Sequence, residues 1–116
     1  MKVQIYHNPR CQKSRMALAW LTERGFDVKV RLYLENPLSM LELKGLHKAL
    51  QLEVSEWMRG NEPEFQAAVG GGQHTHEHLL EILVLYPKLM QRPIVECNGR
   101  AVVARDLGVL ESFNFE

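Results

Sequence analysis

Val3-Gln4-Ile5-Tyr6-His7-Asn8-Pro9-Arg10-Cys11-Gln12-Lys13-Ser14-Arg15 is the stretch from which the fold is read. Val3–Tyr6 is apolar and partly β-branched, the pattern of a short strand. His7-Asn8-Pro9-Arg10 breaks it, because Asn-Pro is a turn signal. From Gln12 to Arg24 the apolar spacing turns helical, with Ala17, Trp20 and Leu21 on one face and Gly25 as the stop. Cys11 therefore falls where a first strand turns into a first helix.

Beyond this stretch, Val28–Leu34 alternates with period two and predicts a second strand. Strand, helix and strand in this length make a βαβ unit, expected parallel and right-handed. After Asn36-Pro37, Ser39 and Glu42 form a capping box for a helix carrying Leu43, Leu46 and Leu50. A short helical stretch is expected at Val54–Met58, and a loop from Gly60 to Gln73 with Pro63 and Gly70-Gly71-Gly72. Thr75 caps a further helix with Leu79, Ile82, Leu83 and Tyr86 on its face, ended by Pro87. Ile94–Cys97 and Arg100–Ala104 flank Asn98-Gly99, a strong hairpin signal. Asp106 caps a last short helix with Leu107 and Leu110. The expectation is one α/β domain over residues 1–116, a small mixed sheet of four strands with helices on both faces.

Composition excludes several classes. The 116 residues carry 14 basic and 14 acidic side chains, so no global field favours nucleic acid or an anionic membrane. Met1–Tyr6 lacks the pattern of a signal peptide, and no apolar run is long enough to span a bilayer. A cytoplasmic location among reduced thiols is expected. Cys11 and Cys97 are too few for a disulfide framework and match no zinc spacing. His74, His76 and His78 sit beside the glycines and read as a polar segment, with no metal site expected.

A thiol at a helix start faces unpaired backbone N–H groups and the positive end of the helix dipole. Its pKa can drop from about 8.5 to well below neutral. Arg10 and Arg15 add charge, Ser14 at i+3 can offer a hydroxyl, and His7 can orient or tune the thiolate. Cys11-Gln12-Lys13-Ser14 is C-x-x-S, so no local resolving thiol exists and an external thiol is the natural reductant. Cys97 reads as a strand cysteine without a catalytic role.

Ile5–Arg15 resembles the active-site signature of the glutaredoxin-linked arsenate reductase (ArsC) family. Tyr33-Leu34-Glu35-Asn36-Pro37 resembles its second block and Arg92-Pro93-Ile94-Val95 its third. The resemblance implies a thioredoxin-like fold with a helical insertion, and a cis Arg92–Pro93 bond. It implies Cys11 as nucleophile and Arg59, Arg92 and Arg105 as an oxyanion site, with Asn61 and Pro63 supporting the match at Arg59. His7, Asn8, Ser14, Arg15 and Pro93 take supporting positions in the matched motifs.

The implied chemistry is attack of Cys11 on arsenate, then resolution by glutathione and glutaredoxin, with glutathione as co-substrate and no bound cofactor. A monomer is expected. Two alternatives stay open. One is a general glutathione-linked thiol oxidoreductase. The other is a non-enzymatic Spx-like regulator that binds RNA polymerase, though its redox switch typically needs C-x-x-C where Ser14 stands here.

Overall fold

A computed structural model describes residues 1–60, 62–70 and 74–116. The chain forms two compact units, Met1–Asn36 with Arg92–Glu116, and Pro37–Gln91.

The first unit holds the sheet. Strands β1 (Lys2–Tyr6), β2 (Asp27–Arg31), β3 (Ile94–Cys97) and β4 (Arg100–Val103) lie in the order β2-β1-β3-β4. β1 runs parallel to β2 and antiparallel to β3, and β3 runs antiparallel to β4. Helix α1 (Gln12–Glu23) is the crossover between the two parallel strands, which β1 could not reach through a tight turn. The strand expected to reach Leu34 ends at Arg31. The N–H groups of Glu35 and Asn36 both bond to Leu32 O, which turns the chain and buries Tyr33. β4 likewise stops at Val103, where the Ala104 N–H turns to Pro93 O, 2.9 Å away.

The β3–β4 hairpin turns through Asn98 (φ 53°) and Gly99 (φ 77°), the two left-handed positions that the Asn-Gly pair supplies. The last helix, named α5 in chain order, spans Leu107–Ser112 and starts where Asp106 Oδ1 accepts the Val109 N–H at 3.2 Å. It packs beside α1. Beneath them lie Val3, Ile5, Ala17, Trp20, Leu21, Val95, Cys97, Ala104 and Leu110. Burying each large aliphatic side chain there is worth about 1.5–3 kcal/mol. The chain end closes this core. Phe115 stacks on Trp20 with ring centroids 6.1 Å apart, and Arg24 covers the Trp20 ring at 3.8 Å.

The second unit is helical. α2 (Met40–Leu50) has the expected capping box, with Glu42 N bonded to Ser39 Oγ at 3.1 Å and Ser39 N to Glu42 Oε1 at 3.0 Å. A 3-10 turn follows at Val54–Trp57, then α3 (Pro63–Val69), α4 (His76–Leu85) and a second 3-10 turn at Pro87–Leu89. α3 corrects the expected loop. Pro63 sits in its first turn, where a missing N–H costs nothing, and Ala67 and Ala68 favour the helix. Asn61 and Gly71–Gln73 lie outside the described residues. Thr75 caps α4 by accepting the His78 N–H. The helix ends one residue before Tyr86, which is 42% exposed and not part of its buried face. Among the described residues no helix is long and apolar enough to cross a membrane.

Candidate active site

The parallel strand β1 ends at Tyr6, and the chain from His7 to Cys11 folds into a tight loop. His7 N–H bonds to Arg31 O at 2.8 Å, anchoring the loop to β2. Cys11 N–H closes it by bonding to Asn8 O at 3.0 Å, and Asn8 Oδ1 takes the Arg10 N–H at 3.0 Å. Asn8 shapes the turn, and Cys11 emerges as the N-cap of α1 with extended backbone angles.

A neutral thiol is a weak acceptor, and Sγ makes no capping hydrogen bond. The surroundings favour its charged form instead. Burial by itself pushes the Cys11 thiol up. The Ser14 N–H, the Arg92 charge, the Lys13 N–H and a donor of the Arg92 side chain outweigh it, and the thiol titrates below its ordinary range. The half-buried position leaves Sγ accessible to a reactant. Cys97 differs on each count. It is 2% exposed, its single S–H lies within reach of Lys2 O (3.5 Å) and Phe115 O (3.2 Å), and burial pushes its pKa up.

Arg92 precedes β3 through a cis bond to the buried Pro93. Its Nε is buried and has no hydrogen-bond partner among the described residues. A buried donor without an acceptor costs about 1–3 kcal/mol, and the Arg92 charge lies close enough to act on the thiol.

The roles expected of Ser14 and Arg15 differ in detail. The Ser14 hydroxyl does not face the thiol. It is fully buried, 2.7 Å from His7 Nδ1, and accepts the Asn8 N–H at 3.1 Å. Ser14 reaches Cys11 through its main-chain N–H. Arg15 turns its Nη1 to Pro9 O at 2.8 Å. Burial, with the Arg15 charge added, pushes His7 below its ordinary range, so Arg15 tunes the histidine.

Arg105 is exposed at the end of the hairpin, beside Ala104, Asp106 and Leu107. Arg59 belongs to the helical unit, where its guanidinium pairs with Glu62 and its N–H with Leu89 O at 2.6 Å. The histidines expected to be a polar segment form ring contacts. His74 stacks on His78 with centroids 5.0 Å apart, His76 meets His47 edge-on at 4.8 Å, and His76 pairs with Glu53. Among the described residues no group of three or more potential ligands could hold a metal ion.

A family model described as the ArsC family matches residues 6–113. The chain belongs to the ArsC family. Within it, the chain is 42% identical over 106 residues to the Escherichia coli K12 "Uncharacterized protein YfgD", covering 90% of this chain and 89% of that one. It is 36% identical over 113 residues to an arsenate reductase of Neisseria meningitidis serogroup A, covering 96% and 97%. The solved structure titled "Arsenate reductase from Vibrio cholerae" superposes with a TM-score of 0.90 at 42% identity, covering 97% of this chain and 98% of that one. The α/β architecture is the thioredoxin-like fold of this ArsC structure.

Proposed function

We propose that the protein is a thiol-dependent reductase that converts arsenate to arsenite. The observation that carries this reading is the Cys11–Arg92 pair, a thiol held below its ordinary pKa beside a guanidinium with a buried, unused donor. Relatives named arsenate reductase support the choice of oxyanion.

In this reading the Cys11 thiolate attacks the arsenic of arsenate. A Sγ–As bond forms, and one arsenate oxygen leaves as water after taking up protons. Arg92 steadies the oxygens as charge develops on them. Its planar fork suits a tetrahedral anion. Arg105 and Arg59 enter from the sequence resemblance alone. A glutathione thiolate then attacks Sγ, forming a disulfide. The Sγ–As bonding pair stays on arsenic, which is thereby reduced by two electrons to arsenite. Glutaredoxin resolves the mixed disulfide. With serine at position 14, the chain offers no second thiol in the motif, which supports an outside reductant.

The test is arsenite formation from arsenate with glutathione and glutaredoxin supplied. Wild type is expected to turn over and Cys11→Ser to be inactive. Wild type without activity would sink the arsenate reading.

A further inference from the structure

Three features of the Cys11 site concern the sulfur itself. The first is charge. No Asp or Glu occurs before Glu23, and Arg10, Lys13 and Arg15 flank Cys11 with exposed side chains. Arg92 adds its charge. Of the acids lining the adjoining cavities, Glu35 shares one with Arg10, and Asp106 is committed to capping α5. The balance around the sulfur is cationic in a chain whose net charge is zero.

The second feature is isolation. The Ser14 hydroxyl is taken up by His7 Nδ1 (2.7 Å) and the Asn8 N–H (3.1 Å). Cys97, the other thiol, is buried, with Phe115 O 3.2 Å from its Sγ. A second sulfur carried on Cys11 therefore meets no neighbouring thiol that could displace it as a protein disulfide. The third feature is the helix start. Cys11 is the N-cap of the 12-residue α1, its side chain makes no capping bond, and the first turn holds no acid. The N–H groups of that turn are free to serve an anion at Cys11. A persulfide lengthens the thiolate by one S–S bond of about 2 Å, and its charge stays within reach of the same field.

We propose that Cys11 also takes sulfane sulfur from a small anionic donor, thiosulfate, and carries it as a persulfide to a second nucleophile. In the first step the Cys11 thiolate attacks the outer sulfur of thiosulfate. A Sγ–S bond forms, the S–S bond of thiosulfate breaks, and its bonding pair leaves on sulfite. Arg92 meets the charge that departs. In the second step an acceptor such as cyanide attacks the outer sulfur, thiocyanate leaves and the thiolate is restored. One sulfur atom moves, charge balances in each step, and no outside oxidant or reductant is needed. This activity uses the same sulfur as the reductase reading, but neither its substrate nor its reducing thiol.

The test follows the intact protein by mass spectrometry during incubation with thiosulfate. Wild type is expected to gain one sulfur atom and to lose it to cyanide with release of thiocyanate. Cys11→Ser is expected to gain none. No gain in wild type whose Cys11 iodoacetamide alkylates fully overturns the proposal. So does a gain in Cys11→Ser, or collapse of the adduct into a Cys11–Cys97 disulfide. Salt tests the charge argument. Thiolate and thiosulfate carry like charges, so their bare encounter quickens as salt is added, whereas an encounter governed by the surrounding cations slows. The rate with thiosulfate, divided by that with neutral iodoacetamide, is expected to fall about threefold or more from low to physiological salt. A ratio that rises or holds steady overturns the proposal. Since arsenate plays no part, these outcomes are separate from failure of the arsenate reading.

Discussion

The Ser14 hydroxyl lies 2.7 Å from Nδ1 of His7, and neither residue is more than 5% exposed. This buried pair locks the first turn of α1 to the end of β1, and the same turn presents the Ser14 N–H to Cys11. Ser14→Ala removes the hydroxyl and strands both His7 Nδ1 and the Asn8 N–H. A loss of roughly 1–3 kcal/mol in urea unfolding is expected, together with a rise in the Cys11 pKa as the turn loosens. A variant as stable as wild type would show that the pair is dispensable.

His7 also sets a pH dependence. Burial and the Arg15 charge depress its native pKa below the ordinary 6.5. Between its native pKa and 6.5 the unfolded chain therefore binds more protons than the folded one. Stability is expected to decline as pH falls through 6.5, and to keep declining down to the native pKa. His7→Gln removes that component. Urea midpoints at pH 7.5 and 5.5 for both proteins measure it, and equal pH dependences would contradict the assignment.

For Cys11 the depressed pKa appears as reactivity. The alkylation rate with iodoacetamide is expected to rise with pH and to level off below the range of a free cysteine. Arg92→Gln removes the charge and shifts that midpoint upward. Arsenate reduction is expected to fall by about 10²-fold or more in this variant, the cost of removing one oxyanion donor. The shift in the alkylation profile separates an effect on the thiolate from one on the oxyanion.

Thiol counting distinguishes the two cysteines. With an aromatic disulfide reagent the native protein is expected to titrate one fast thiol, Cys11, and a second only in denaturant, because Cys97 is buried under the chain end. Two fast thiols in the native protein would show that the Phe115 contact opens readily.

The hairpin gives a local stability test. Gly99 has φ +77°, and an alanine methyl at this position would meet no neighbour within 4 Å, so Gly99→Ala is strained by backbone alone. The expected cost is about 1–2 kcal/mol, read as a lowered Tm with the Cys11 alkylation rate unchanged.

Short-range signals make much of the architecture legible. The Ser39–Glu42 box, the Thr75 and Asp106 caps and the Asn98-Gly99 turn involve residues within a few positions of one another, and each appears in the structure. The failures have physical causes. Leu32-Tyr33-Leu34 continues the alternation of β2, but Tyr33 is buried by a turn that periodicity does not encode. α3 is hidden because Pro63 and the nearby glycines read as loop, although proline is at home in a helix's first turn.

At the site, the position of Cys11 follows from the strand-turn-helix pattern. That the Ser14 hydroxyl faces His7 rather than the thiol depends on which way one side chain points at a helix start. Arg92 has no local signal, since it is brought to Cys11 by the pairing of β1 with β3, and only the resemblance of its motif singles it out.

That pairing sets an order of events during synthesis. Cys11 is synthesised before Arg92 and β3, with the whole helical unit made between them. Until then Cys11 has the N–H groups of its own helix start but lacks its guanidinium neighbour. Ile5 meets Val95 and Tyr6 meets Ile94 only once the later segment is made. The part of the sulfur's activation that Arg92 supplies is thus tied to the closing of the sheet.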